Sequence, residues 1–211
     1  MKQNKFSVEK NTTKASQSFK RRKFLAAGAG IVVMLGLGFM GANSKKKKPL
    51  LRPPGGQNED SFLAKCIKCD RCRSACPTSA IGVASIEEGI IEARTPIMKF
   101  HIGYCDFCNK CVEACPTQAL EPFDKNTVKI GIAMLTDTCI ALNYGGCTLC
   151  YEACEYKAIS LDDQKRPIIN PDKCNGCGIC EKICPSLVLR SYSGGTMRGI
   201  EVRPISNEVI L

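Results

Sequence analysis

Apolar residues along this chain fall into short pieces that alternate with turn signals, and they predict brief strands and helical turns. Residues 127–135 are the longest β-like run, and residues 191–211 contain further strand-like pieces. Two hairpins are predicted from apolar pieces that flank polar turns: residues 81–86 and 89–93 around 87–89, and residues 159–161 and 167–169 around 162–165.

One longer apolar stretch, residues 24–42, follows the sequence Lys20-Arg21-Arg22-Lys23. A twin arginine followed by x-Phe-Leu resembles the signal of the bacterial twin-arginine export route, so Arg21 and Arg22 are the predicted export residues. Five glycines keep the stretch only moderately hydrophobic. The alternative is an ordinary transmembrane anchor, because the stretch is long enough to span a bilayer.

The segment after this stretch leaves two interpretations open. Residues 42–44 are a passable small-x-small cleavage site, and Lys45–Lys48 follow at once. If the leader is retained, these lysines would lie at the outer membrane surface and bind acidic headgroups. Otherwise they are a solvated spacer before the Pro/Gly-rich linker that ends near residue 60.

The cysteines fall into four runs with nearly the same rhythm, and none of the 16 is left over. Three runs follow C-x2-C-x2-C-x3-C-P, the bacterial signature for iron–sulfur cubanes, whereas the third has seven residues after its first cysteine and lacks the proline. The runs are Cys66, Cys69, Cys72 and Cys76; Cys105, Cys108, Cys111 and Cys115; Cys139, Cys147, Cys150 and Cys154; and Cys174, Cys177, Cys180 and Cys184.

The spacing predicts four [4Fe–4S] clusters, with all sixteen cysteines as iron ligands. Three thiolates on a curled loop can each reach a different iron, and in two-cluster ferredoxins the fourth cysteine ligates the partner cluster. A disulfide scaffold gives no reason for a fourfold repeated spacing. Structural zinc usually takes two C-x2-C pairs separated by a longer spacer, which these runs lack.

The runs define an internal repeat of 34 to 39 residues, each unit reading as cluster loop, helical turn and short strand. We therefore expect an α+β fold of small ferredoxin-like modules, arranged as two pseudo-twofold bi-cluster units with little regular secondary structure. The predicted boundaries are a signal or anchor over 1–44, a linker over 45–60, a four-cluster domain over 61–190 and a tail over 191–211. With no Trp and few large aromatics, the clusters must act as core, so the apo-protein should be largely unfolded.

The net charge of +10 does not indicate nucleic-acid binding. Residues 1–44 carry eight basic side chains and one acidic, Lys45–Lys48 add four basic, and residues 49–211 have 18 basic and 19 acidic. The positive charge therefore belongs to the leader, and the cluster-binding part has no basic nucleic-acid face.

No enzyme constellation accompanies the cysteines. The chain has one histidine, His101, so it has no Ser-His-Asp set and no C-x2-C-H haem site, and we expect His101 to be a strand or surface residue. There is no G-x-G-x-x-G motif at a strand–helix junction for a flavin or nicotinamide. Four aromatic residues beside predicted ligands should shield clusters from water: Tyr104, Phe107, Tyr151 and Tyr156.

The leader, the linker at residues 51–56, the four runs and the seven-residue gap in the third run together resemble the NapG/MauM-type periplasmic ferredoxins. The resemblance covers residues 21–190, although the second run is more compact than the family pattern. It implies a periplasmic electron carrier that takes electrons from a membrane-bound iron–sulfur quinol dehydrogenase. The acceptor would be a periplasmic reductase or its cytochrome subunit, nitrate reductase above all, and related members accompany methylamine oxidation.

A second hypothesis is an iron–sulfur subunit of an exported molybdenum oxidoreductase, since such subunits also carry four cubanes. They often travel on a partner's signal, however, whereas this chain has its own. The insertion at residues 140–146 is either a tolerated surface loop or a docking surface for a partner.

The pairing of the runs is a separate prediction. A tandem arrangement would join run one with run two and run three with run four. In resembling four-cluster subunits the pairing is nested, and we expect nesting, with Cys76 beside run four and Cys115 beside run three.

Overall fold

Brief helices and strands make up this protein because its sequence is cut every few residues by glycine, proline and cysteine loops. The computed structural model describes residues 49–186 and 197–205. The chain divides into two compact units, residues 1–47 and 48–211, and all described residues belong to the second. The predicted leader and the run Lys45–Lys48 therefore lie outside the described residues.

The first module, residues 58–120, carries runs one and two. Its helices are α1 (Glu59–Lys65), α2 (Arg71–Ala75) and α3 (Lys110–Glu113). Asn58 caps α1, because its side-chain oxygen accepts from the Ser61 amide at 3.2 Å. Strands β1 (Ile81–Val83) and β2 (Pro96–Met98) pair antiparallel.

This first hairpin differs from the predicted one. Residues 89–93 are not its second strand, and β1 pairs instead with residues further along the chain. The reason is a 3₁₀ turn at Ile86–Glu88, closed by a capping box in which the Ser85 amide donates to the Glu88 carboxylate at 2.6 Å. The loop between β1 and β2 therefore spans residues 84–95.

The second module, residues 132–186, carries runs three and four. It contains β3 (Ile132–Leu135), α4 (Ile140–Asn143), α5 (Leu149–Glu152), β4 (Ile159–Leu161), β5 (Pro167–Ile169) and α6 (Ile179–Ile183). Strands β4 and β5 pair antiparallel with the bounds that the sequence predicts. Of the predicted β-like run at residues 127–135, only β3 is a strand.

The tail beyond run four supplies β6 (Ile200–Arg203), which pairs antiparallel with β3. Just before β6, the Arg198 guanidinium donates to the carbonyl groups of Cys184 at 2.7 Å and Lys182 at 2.9 Å, and to His101 Nδ1 at 3.0 Å. His101 belongs to the first module, so this one side chain ties the tail to both modules.

The two modules share a continuous core, in which the largest fully buried side chains include Phe62, Phe100, Leu120 and Ile200. Gly178, with φ of +82°, lies against the Phe100 ring of the other module, and any Cβ there would overlap that ring. The close approach of the modules thus requires glycine at this position. Among the residues described, no helix is long and apolar enough to cross a membrane. The predicted α+β fold with little regular secondary structure is confirmed.

Candidate metal centres

The sixteen cysteines line four separate cavities, four cysteines to each, and all are free of disulfide bonds. The cavities are similar in size, enclosing 320–340 Å³ including their openings. We number them by their ligands: site 1 has Cys66, Cys69, Cys72 and Cys115; site 2 has Cys76, Cys105, Cys108 and Cys111; site 3 has Cys154, Cys174, Cys177 and Cys180; site 4 has Cys139, Cys147, Cys150 and Cys184.

This assignment shows that the nested pairing is wrong and that the arrangement is tandem. Cys76 lies with the first three cysteines of run two, and Cys115 with those of run one. The physical reason is the pair of hairpins. Each hairpin leaves one run and returns the chain directly to the next, so the neighbouring run closes the site over a short loop.

The cysteine loops curl because residues around the second cysteine adopt left-handed backbone conformations. In run one these are Lys68 (φ 57°) and Asp70 (φ 60°), and in run two Phe107 (φ 55°) and Asn109 (φ 62°). Run four has glycines at the same two places. Positive φ is uncommon for residues other than glycine, so both runs store local strain where the ligands must be presented.

A third left-handed residue follows three positions after each fourth cysteine in the first three runs: Ser79, Gln118 and Lys157, with φ between 48° and 56°. This turn aims backbone amides at the cysteine sulfur. In this turn the Ala158 amide donates to Cys154 Sγ at 3.3 Å. Outside it, the Ala133 amide of β3 donates to Cys174 Sγ at 3.4 Å. Such hydrogen bonds favour the charged thiolate and help set cluster potentials.

Burial disfavours the ionised form of most of these thiols in the absence of a bound cluster. Burial, together with the charge of nearby cysteines, raises the pKa of Cys72 and of Cys105 to about 12. Burial likewise raises the pKa of Cys150 and Cys177 to about 11. A set of four thiolates in such a cavity therefore requires positive charge from bound iron, which also links cluster binding to proton release.

Cys115 is the exception among the shifted thiols. Burial raises its pKa, but hydrogen bonds from the Leu120 amide, the Thr117 hydroxyl and the Thr117 and Ala119 amides together lower it below the ordinary value. The turn after Cys115 therefore favours its thiolate form more than burial alone would allow.

Run three shows how the seven-residue gap is accommodated. Helix α4 fills the gap and places Cys139 at its N-terminal end, and Gly145 and Gly146, both at positive φ, lead into Cys147. Thr148 then has φ of −118°, so the second left-handed position of the other loops is missing here. Leu142 and Tyr144 are exposed on the inserted segment.

The four sites follow one another in space. Sites 1 and 2 adjoin within the first module, where Cys111 is close enough to Cys72 to raise its pKa. Sites 3 and 4 adjoin in the second module, where Cys150 raises the pKa of Cys180.

Sites 2 and 3 meet across the junction between the modules. The Cys105 amide donates to the Cys177 carbonyl at 2.8 Å. The rings of Phe107 and Tyr156, which line sites 2 and 3, pack edge to face with centroids 6.3 Å apart. The order along the molecule is therefore site 1, site 2, site 3, site 4.

Each donor set fits a multi-iron cluster. Within the described segments, no three His, Cys, Asp or Glu side chains converge closely enough to bind a single metal ion. The cysteines surround each cavity instead, so each thiol can take a different iron, as a cubane requires.

The other sequence candidates lie as follows. His101 lines none of the four sites, and its Nδ1 accepts from Arg198. Phe107 is almost fully buried at site 2, as predicted for a shielding residue, whereas Tyr156 lines site 3 but is exposed. Tyr151 is exposed, and Tyr104 packs under the Lys182 ammonium, 4.9 Å from the ring centroid. Arg21 and Arg22 lie outside the described residues.

Sequence reasoning missed two structural features of the sites. The left-handed residues in runs one and two are Lys, Asp, Phe and Asn rather than glycine, so residue type did not indicate a left-handed backbone there. Aligning these runs with run four, which has Gly176 and Gly178 at the same places, would have indicated it. The role of the tail in joining the modules depends on contacts with residues almost a hundred positions earlier.

Comparison with known proteins supports these modules. The sequence profile of the 4Fe-4S dicluster domain matches residues 65–119 and 138–188. Each match contains two cysteine runs and coincides with one module of the tandem arrangement.

Relatives resemble the chain over most of its length. It is 32% identical to ferredoxin-type protein NapG of Escherichia coli (strain K12) over 189 residues, 78% of this chain and 80% of the relative. It is 36% identical to methylamine utilization ferredoxin-type protein MauM of Methylorubrum extorquens over 190 residues, 80% of this chain and 86% of the relative. Ferredoxin-type protein NapF of Escherichia coli (strain K12) is 30% identical over 155 residues. The chain therefore belongs to the NapG/MauM family of ferredoxin-type iron–sulfur electron-transfer proteins.

Proposed function

We propose that the protein binds four [4Fe–4S] clusters, one in each site, and relays electrons through them in the order of sites 1 to 4 or the reverse. The observation that carries this proposal is the series of four adjoining cavities, each lined by four cysteines. A bound cluster supplies reversible one-electron redox chemistry.

The chain's own residues prepare each site for that role. Backbone amides donate to the sulfurs and compensate negative charge, from the turn after Cys154 and from strand β3 to Cys174. Phe107, which is buried, packs edge to face against Tyr156 between sites 2 and 3 and limits water at the junction that an electron must cross. The backbone hydrogen bond from Cys105 to Cys177 fixes the separation of those two sites.

Metal analysis tests the number of clusters. Protein purified without oxygen should contain about 16 iron and about 16 acid-labile sulfide per chain, because each complete cubane takes four of each. Zinc in place of iron, or iron content near half this value in fully folded protein, would contradict four clusters.

We further propose that the relay operates in the periplasm, between a membrane-bound iron–sulfur quinol dehydrogenase and a periplasmic reductase or its cytochrome subunit. The resemblance of the leader, the linker and the cysteine runs to the NapG/MauM-type periplasmic ferredoxins supports this proposal. The proposed route out of the cytoplasm is the twin-arginine machinery, which carries folded cargo and so suits clusters inserted before export.

Replacing both Arg21 and Arg22 by Lys tests the export route. The variant should accumulate in the cytoplasm with its iron bound, as followed by fractionation and immunoblotting. A variant that still reaches the periplasm would show that a different route is used. Stable co-purification with a large molybdopterin protein would favour the oxidoreductase-subunit hypothesis over the relay.

A further inference from the structure

Three highly exposed isoleucines lie together at the tip of the first hairpin. Ile86, Ile90 and Ile91 are 75%, 84% and 64% exposed. Ile67 of run one, 63% exposed, belongs with them, because its neighbour Lys68 donates from Nζ to the Ile91 carbonyl at 2.9 Å. These four isoleucines form what we call the isoleucine patch.

The corresponding hairpin of the second module shows that the fold does not require this patch. There β4 and β5 are joined by residues 162–166, a short polar turn in which the Asp162 carboxylate accepts from the Arg166 amide at 2.7 Å. Both hairpins connect two cysteine runs in the same way. The isoleucine-rich loop at residues 84–95 is therefore an elaboration of the first module, and exposed apolar groups of this kind mark interaction surfaces.

The loop is held firmly at its base. The Arg52 guanidinium, 3% exposed, donates to Thr95 Oγ1 at 2.7 Å and to the Pro96 carbonyl at 3.0 Å. The Met98 amide donates to the Leu51 carbonyl at 2.7 Å. The first described residues therefore lie beside β2, the strand that follows the isoleucine-rich loop in the chain.

The sequence that precedes this point indicates what covers the patch. Lys45–Lys48 join directly to Pro49, and residues 24–42 form the one long apolar stretch of the chain. Basic and apolar segments in this order suit a membrane and its anionic headgroups. The chain thus enters the module beside the strand that follows the isoleucine patch, from a segment with membrane chemistry.

Charges near the patch favour the same occupant. Arg94 is exposed within the loop at residues 84–95, and Arg71 and Arg73 are exposed on α2, which follows Ile67 in the chain. Glu87 is an exposed acid at the tip, whereas the Glu88 carboxylate is used to cap the 3₁₀ turn. A cluster of aliphatic side chains with arginines at its edge is suited to the boundary between headgroups and acyl chains.

We propose that the isoleucine patch binds the surface of a lipid bilayer that contains anionic lipids. Ile67 also lines site 1, so binding in this way turns the first site of the series towards the membrane. The proposal goes beyond electron transfer and holds whichever redox partners the protein uses.

Hydrogen–deuterium exchange on the iron-loaded full chain tests the proposal. The probe is vesicles of phosphatidylcholine and phosphatidylglycerol, compared with phosphatidylcholine alone. Amides at residues 84–95 should exchange more slowly with the anionic vesicles, and those at residues 162–166 should not change. This readout is specific to the patch even if residues 24–42 insert into the vesicles by themselves.

A double variant, Ile90→Ser with Ile91→Ser, should reduce the vesicle-dependent protection of this loop from exchange about tenfold or more. The reason is that two aliphatic side chains are no longer transferred from water into the bilayer. The matched control is Ile168→Ser, which removes an isoleucine 54% exposed on β5 and should leave protection unchanged. Iron content and redox titration of both variants should match the parent, which separates this proposal from the cluster assignment.

Two outcomes would overturn the proposal. One is unchanged exchange at residues 84–95 with anionic vesicles. The other is protection that appears only in native membranes and not with protein-free vesicles, which would identify a membrane protein as the partner of the patch.

Discussion

The two modules of this protein present the same cysteine framework on different hairpins. Both exchange their fourth cysteines between neighbouring runs, and both use a two-stranded hairpin to bring those runs together. The second module closes its hairpin with a polar turn, whereas the first carries exposed isoleucines there. This difference indicates that the paired strands of each hairpin position the cysteine sites, whereas the loop that joins the strands can take another role.

The modules also differ in how they present their ligands. Run four meets its left-handed positions with glycine, and run one meets them with Lys68 and Asp70. Run three lacks the second such position, at Thr148, and has an inserted helix, α4, between its first two cysteines. A cluster loop therefore tolerates variation in sequence and even in length, provided that its cysteines reach one cavity.

The largest expected effect comes from removing, in each module, a fourth cysteine that belongs to one run and lines the site of the neighbouring run. Cys76→Ala should disrupt the cluster at site 2, although Cys76 belongs to run one, and should remove about a quarter of the iron. Its electron paramagnetic resonance spectrum should lose the same signal as Cys105→Ala.

Cys154→Ala is the matched change in the second module and should lose the same signal as Cys177→Ala. If Cys76→Ala instead gave the spectrum of Cys66→Ala, the tandem assignment of sites would be wrong.

An intermediate effect is expected at the junction between the modules. Gly178→Ala should lower the free energy of unfolding by about 2–4 kcal/mol, because the new methyl group overlaps Phe100 and the backbone has positive φ. Denaturant unfolding of the loaded protein, without oxygen, measures it.

Gly146→Ala provides the control for that experiment. Its φ is +77°, yet no atom lies within 4 Å of the added carbon, so only the backbone cost of about 1–2 kcal/mol remains. Equal losses for the two variants would mean that the junction with Phe100 contributes nothing.

The smallest expected effect concerns the charge around run one. Arg71 and Arg73 are exposed beside site 1, and positive charge stabilises the more negative reduced cluster. Replacing both by Gln should lower the potential of site 1 by about 20–40 mV, since exposed charges contribute on the order of 0.5–1 kcal/mol and a one-electron couple shifts 59 mV per tenfold change.

A redox titration followed by electron paramagnetic resonance measures that shift. Lys110→Gln, at the position in run two that corresponds to Arg71, should move site 2 instead. A site 1 potential that does not change would show that amide hydrogen bonds and burial outweigh these charges.

Much of the site was predictable because cysteine spacing is a local property. The geometry of a cysteine loop depends on only about ten consecutive residues. Cys66 to Cys76 is one such complete segment, and Cys174 to Cys184 is another. The second hairpin was equally local, since residues 162–165 are a plain polar turn between two apolar pieces.

What the sequence did not predict depends on long-range packing. Nested and tandem pairings use the same cysteines, and only the hairpins, which return each chain segment to its neighbour, decide between them. In the first hairpin the isoleucines at residues 86, 90 and 91 belong to apolar pieces that predict strands. Their side chains are exposed instead. The pairing of β6 with β3 joins residues that no local signal connects.

That last pairing has a consequence for the order in which the protein is made. Strand β3 precedes runs three and four, and its partner β6 follows them, so the sheet can close only after every cysteine of the chain has been synthesised. The Ala133 amide of β3 donates to Cys174, while Val202 of β6 donates its amide to the buried Glu181 carboxylate at 2.7 Å. Closure of this sheet is therefore a late step of maturation, and it seals the second module once its ligands are in place.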